Sequence, residues 1–120
     1  MGVGYRKLMV WQQSKSLAVQ VYQLTAFDPW NKDWGLRDQV RRAAVSVPSN
    51  IAEGDARSSD KDSIRFFRIA LGSLAELETQ LEIAKEIGYL TSDQLAELLS
   101  RTEPLGASIG ALIRSRKPSD

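Results

Sequence analysis

Apolar residues recur in steps of three and four in four separate stretches of this chain, the spacing that lines one face of an α-helix. In the first, Trp11, Ser14, Ala18 and Val21, flanked by Val10, Leu17 and Leu24, predict a helix over about 7–24. The second carries Leu36, Val40, Ala43, Val47 and Ile51 and predicts a helix over about 36–53. Pro48 falls inside that stripe. It removes a backbone donor and crowds the Ala44 carbonyl, so a kinked helix is expected, closed by Gly54 as its C′ glycine. Ser46, Ser49, Asn50 and Glu53 surround the kink. They are expected to satisfy the freed backbone or to bond to the next helix, with Arg68 as counter-charge; the alternative is a ligand site.

Ser59 is a good N-cap for a third helix over about 59–87, with Asp60 and Asp62 where the helix dipole favours negative charge. Phe67, Ala70, Leu74, Leu77, Leu81 and Ala84 keep a seven-residue spacing along it, and Gly88 stops it. Thr91-Ser92-Asp93-Gln94 reads as a capping box, stapled by Leu90 and Leu95, and opens a fourth helix over about 92–115. Its stripe is Leu95, Leu98, Thr102, Leu105, Ile109 and Leu112; Pro104 interrupts it and predicts a bend or a short unwinding near Thr102, and residues 116–120 form a tail. Gly72 and Gly110, isolated in helices, are expected to allow close helix approach. The loop before the second helix holds Phe27, Trp30 and Trp34, expected to fold back over a bundle end, the alternative being contact with a partner. Four amphipathic helices, joined by a short last loop and moderate earlier ones, make an all-α fold, an antiparallel up-down-up-down four-helix bundle, in one domain over 1–120.

Composition narrows the function. The chain has no cysteine and no histidine, which removes disulfides and most zinc, haem and iron–sulfur sites, so no metal or cofactor is expected. No apolar run reaches the roughly 20 residues of a membrane span, and a cytoplasmic protein that does not engage a membrane is expected. Ser46, Ser49 and Ser73 lack a histidine base, and a di-iron bundle needs Glu-x-x-His pairs that are missing. Glu76, Glu78, Glu82 and Glu86 read as a solvated face. No catalytic residue is assigned and no enzyme is expected.

The net charge of +1 conceals an uneven distribution: residues 69–104 sum to −5, and the three segments 1–35, 36–68 and 105–120 to +2 each. Arg37 and Arg41 are one turn apart on the second helix, Lys61, Arg65 and Arg68 share a face of the third, and Arg42 and Arg57 lie nearby in sequence. If helices two and three are neighbours, these seven predict a patch for phosphate contacts; the plain alternative is a solvated surface with ion pairs to Asp38, Asp55, Asp60 and Asp62. No helix-turn-helix or other reading-helix signature is present, so binding should favour nucleic-acid shape and backbone.

The segment Gly35-Leu36, Gln39 to Ala44 and Val47-Pro48-Ser49-Asn50-Ile51-Ala52-Glu53-Gly54 resembles the four-helix-bundle family of 23S rRNA intervening-sequence proteins. The likeness continues through Arg65-Phe66-Phe67, Ala70 to Leu74, Glu76-Leu77 and Gly88-Tyr89-Leu90, and spans about Tyr5 to Ile113. One departure is Asp28, which separates Phe27 from Pro29 where the family pattern has them adjacent. The resemblance implies a non-enzymatic bundle that assembles into homopentameric rings. It also implies kinship with the accessory proteins of diversity-generating retroelements, pentamers whose basic surface binds RNA and a reverse transcriptase. From the residues themselves the hints of assembly are weak: Val45, Ile69 and Ile83 lie off the core stripes, and the acidic and basic helical regions could meet across subunits. The rival expectation is a scaffold that binds a partner protein and no RNA.

Overall fold

The computed structural model describes residues 4–116; of the predicted tail at 116–120, Arg116 instead closes the last helix and the rest lies outside the described residues. A 3-10 turn at Gly4–Lys7 precedes four α-helices: α1 (Met9–Leu24), α2 (Trp34–Asp55), α3 (Asp60–Glu86) and α4 (Ser92–Arg116). α1 begins two residues after the predicted start because Leu8 is extended and Tyr5 turns back to stack on Trp11 with ring centres 5.0 Å apart. As α2 advances from Ser46 to Gly54, its contacts on α3 move back from Ser73 to Phe67 and Ser63. α2 and α3 are therefore antiparallel, and α1 with α2 and α3 with α4 pack alike, in a body of 48 × 28 × 21 Å.

The core follows the stripes. Val21, Val40, Val47, Ile51, Phe67, Leu74, Leu77, Leu81 and Ile109 are all fully buried. At the end of α4, Ile113 is buried and Leu112 only partly so, one position off the expected register. α4 runs through Pro104 without unwinding near Thr102, held by Leu98, Leu105 and Ile109 in the core. α2 likewise continues through Pro48. The polar side chains there do not reach the Ala44 carbonyl: Asn50 Nδ2 donates to the Ser46 carbonyl (2.8 Å) and Ser46 Oγ (2.9 Å), and Ser46 Oγ meets Ser73 Oγ of α3 at 2.8 Å. Ser49 is exposed, and Glu53 pairs with Arg57 of its own turn, not with Arg68.

The glycines correct the expectations. Gly54 is not a C′ residue: it lies inside α2, its φ is not positive, and a Cβ there would stand 2.6 Å from Phe67 Cε1. It is the close-approach glycine of the bundle. Gly72 has nothing within 4 Å of its would-be Cβ, and Gly110 meets only the Arg114 side chain of its own helix, so neither brings two helices together.

One end of the bundle is closed by a chain of local geometry. Gly88, at φ 90°, ends α3 in a Schellman motif, with Tyr89 N bonded to Ala84 O and Gly88 N to Lys85 O. Tyr89 then meets the buried Trp30 edge-on, ring centres 5.3 Å apart, and its hydroxyl donates to Asp33 Oδ2 at 2.8 Å. Asp33 Oδ1 accepts from Leu36 N and so caps α2 two residues earlier than predicted. Trp30 folds back over the core as expected; Phe27 and Trp34 do not, being 72% and 69% exposed. The hydrogen bond to Asp33, with partial burial, raises the Tyr89 hydroxyl above its ordinary value of 10.0. The folded state thus favours the neutral phenol, a contribution present below pH 10 and lost as pH rises through the raised value. Tyr89→Phe should lack that part of the alkaline loss of stability, seen by comparing urea unfolding of the two proteins from pH 9 upward; identical profiles would count against the bond.

The seam between α1 and α4 is the thin one. α1 touches α4 far less than it touches α2, and two hollows of about 450 and 280 Å³ open along the line. Gln12, Gln13, Gln20, Gln23 and Gln94 line them, and Gln20 Oε1 is buried without a hydrogen-bond partner.

Candidate nucleic-acid interface

The α2–α3 turn is where cations gather. Gly54 lets Phe67 lie directly on α2, and Ser63 Oγ donates to the Gly54 carbonyl at 2.7 Å, so the two helices are pinned together at their junction. That brings Arg57, just past α2, over the ring of Phe66 at 4.5 Å, while Arg65 covers the same ring at 4.6 Å. Two guanidiniums on one aromatic ring are held in place more firmly than free surface arginines. Lys61, Arg65 and Arg68, spaced four and three apart, line with Ile64 and Asp62 a shallow hollow of about 570 Å³. Arg57 also pairs with Glu53, an exposed contact of small net value.

Arg37, Arg41 and Arg42 do not join them. In the antiparallel pair, Arg41 is level with the stretch of α3 near Glu78, about 20 Å along the axis from Arg65 at 1.5 Å per residue. Arg41 is moreover committed: its Nε donates to the buried Thr25 Oγ1 at 2.8 Å, and its guanidinium covers Tyr22 at 4.5 Å. Arg37 pairs with Asp38 at 3.2 Å. The single patch expected from sequence therefore divides, with Arg57, Lys61, Arg65 and Arg68 at one end and Arg37, Arg41 and Arg42 nearer the other.

Topology adds cations that sequence proximity missed. Arg6 and Lys7 enter at the same end as the α2–α3 turn, and Arg114 and Arg116 leave there. Arg116 bonds Asp55 at 2.9 Å and faces Phe67. The half of the bundle made of residues 4–18, 46–72 and 107–116 carries nine Lys/Arg and four Asp/Glu, a net charge of +5. The other half, residues 19–45 and 73–106, carries six and ten, a net charge of −4. The acidic sequence segment has become one pole of an axial charge separation. In an up-down order, charge separates by level along the bundle axis and not by position along the chain.

Among the described residues, no three Asp or Glu stand close enough together to hold a metal ion. No described helix is long and apolar enough to cross a membrane. The arrangement suits contact with extended negative charge.

Comparison with known proteins agrees with the fold. The crystal structure, at 1.70 Å, of a protein of unknown function from the S23 ribosomal protein family of Bacteroides thetaiotaomicron VPI-5482 is similar to this chain, with a TM-score of 0.82 and 25% identity. The match covers 88% of this chain and 98% of that one. No curated protein matches the sequence. Residues 6–111 match the family described as 23S rRNA-intervening sequence protein, which is most of the chain. With its four helices, its Pro48–Gly54 segment and that match, this chain belongs to the family of 23S rRNA-intervening sequence proteins.

Proposed function

We propose that this protein is a non-enzymatic, cytoplasmic, self-assembling bundle that binds structured RNA through its basic end. The observation that carries the reading is the convergence of Arg57, Lys61, Arg65 and Arg68 on one corner of an end with net charge +5. Phosphate contacts made by such side chains position an RNA without reading its sequence, and each neutralised phosphate releases counterions. The exposed Phe66-backed arginines also offer planar faces to unstacked bases.

Assembly into a ring is supported by apolar groups left in solvent. Val19, Tyr22 and Val45 rim a hollow of about 340 Å³ between α1 and α2, and Ile69 and Ile83 stand exposed on α3. Such groups favour lateral packing of one copy on another.

The test is binding of a fluorescent RNA hairpin at several salt concentrations, with particle mass followed by light scattering. Lys61→Glu with Arg65→Glu should weaken binding by at least about 100-fold and flatten the salt dependence. Arg42→Glu, on the exposed side of α2, should leave it nearly unchanged. Val45→Glu with Ile69→Glu should lower the mass. Hairpin binding indifferent to Lys61 and Arg65, or absent at low salt, overturns the RNA reading; mass unaltered by Val45 and Ile69 overturns the lateral contact.

A further inference from the structure

The acidic end carries a second surface that RNA binding does not use. Phe27 and Trp34 are the two most exposed aromatic side chains of the bundle. Trp34 is nevertheless fixed, and the backbone beside Phe27 is tied down. Trp34 Nε1 donates to the Asn31 carbonyl at 2.8 Å, and Asn31 Nδ2 donates to the Ala26 carbonyl at 2.7 Å, so one residue ties both flanks of the loop. Large aromatics held rigidly in solvent have the profile of binding anchors, since little freedom is lost when they are covered. They stand on the half of the molecule with net charge −4; Asp28 and Asp38, which flank them in sequence, are themselves paired with Lys32 at 3.7 Å and Arg37 at 3.2 Å, so the negative charge of this pole comes from the α3 and α4 acids.

The complement of this surface is on the same molecule. The hollow on α3 is walled by Ile64 and the stems of Lys61, Arg65 and Arg68, and at about 570 Å³ it has room for an aromatic side chain. Its three cations, with Asp62 the one acid on its wall, suit the face of an indole and the negative charge of the opposite pole. From this pairing of aromatic knobs at the negative pole with a cation-lined hollow at the positive pole, we infer that a second copy of this chain docks end to end, Trp34 and Phe27 of one seated in the Lys61–Arg65–Arg68 hollow of the next. The contact is heterologous, because the knob and the hollow are different surfaces, so it leaves a free knob and a free hollow and extends into stacks. It is separate from the lateral packing at Val45 and Ile69. It shares its hollow with the RNA reading without depending on that reading, and RNA and a second copy therefore compete.

The experiment is sedimentation of the full chain across a wide range of concentration, without RNA, at low and high salt. Growth beyond the dilute species is expected at low salt and its loss at high salt, because the poles are exposed. Phe27→Ala with Trp34→Ala should weaken growth at least about tenfold. Lys61→Glu with Arg65→Glu should abolish it, circular dichroism showing both variants folded. Mixing the two variants should restore association that neither shows alone, since one keeps the hollow and the other the knobs. Absence of growth in the parent protein, growth indifferent to Phe27 and Trp34, or a mixture that stays dispersed each overturns the inference. Hairpin binding by the parent protein reports separately: no growth with intact binding sinks only this contact, and growth without binding sinks only the RNA reading.

Discussion

Trp30→Ala should destabilise the protein by about 3–5 kcal/mol, the usual cost of emptying a buried aromatic site. Trp30 is 2% exposed and closes the core between the first loop and the α3–α4 turn. Its removal also strips the edge contact from Tyr89, whose hydroxyl holds the Asp33 that caps α2. The loss therefore spreads to a helix start. At about 4 °C per kcal/mol, the midpoint of thermal unfolding should fall by roughly 12–20 °C. Phe27→Ala and Trp34→Ala, a few residues away and in solvent, should each stay within about 0.5 kcal/mol of the parent. A Trp30→Ala protein less than about 1 kcal/mol weaker would mean that this end is not closed as described.

Gly54→Ala and Gly72→Ala should move stability in opposite directions, although both add one methyl to the interior of a long helix. Helix propensity favours alanine at either site by about 1 kcal/mol. At Gly72 nothing stands within 4 Å, so a gain approaching that figure is expected. At Gly54 the new Cβ would meet Phe67 Cε1 at 2.6 Å, Phe67 Cδ1 at 2.8 Å and the Ser63 carbonyl oxygen at 3.0 Å. The ring is fully buried and the carbonyl is backbone, so neither yields cheaply. Overpacking of this kind costs about 1–3 kcal/mol and outweighs the propensity gain. Phe67→Leu in the Gly54→Ala background should recover part of the loss, which urea unfolding of the single and double variants measures. A stabilised Gly54→Ala protein would show that the α2–α3 junction is looser than these distances.

Much of this was legible in the residues. The Ser59 cap, the reciprocal Thr91–Gln94 box and the Gly88 stop are local devices, and each forms where its own few residues dictate. The stripes named the core to within a position or so. What the sequence hid depends on partners far along the chain. Gly54 beside Pro48 looks like a helix end until Phe67 is known to lie against it. Asp33 is an ordinary loop aspartate until Tyr89, 56 residues later, claims its second oxygen. Arg41 counts as a free surface cation until Thr25 and Tyr22 take it up. The candidate interface was half readable for the same reason: Lys61, Arg65 and Arg68 share a helix face by arithmetic, whereas the cations from both chain termini arrive only through topology.

The glutamine-lined seam between α1 and α4 gives the bundle a grain. Three of the four lines along which neighbouring helices meet also join consecutive helices through a short connection; this one joins the first helix to the last. It is also the line left with hollows and an orphaned amide oxygen, which makes it the cheapest to part. Local opening of the bundle is accordingly expected along this line first, with the α2–α3 pair, joined by Ser46 to Ser73 and by Gly54 to Phe67, the last to part.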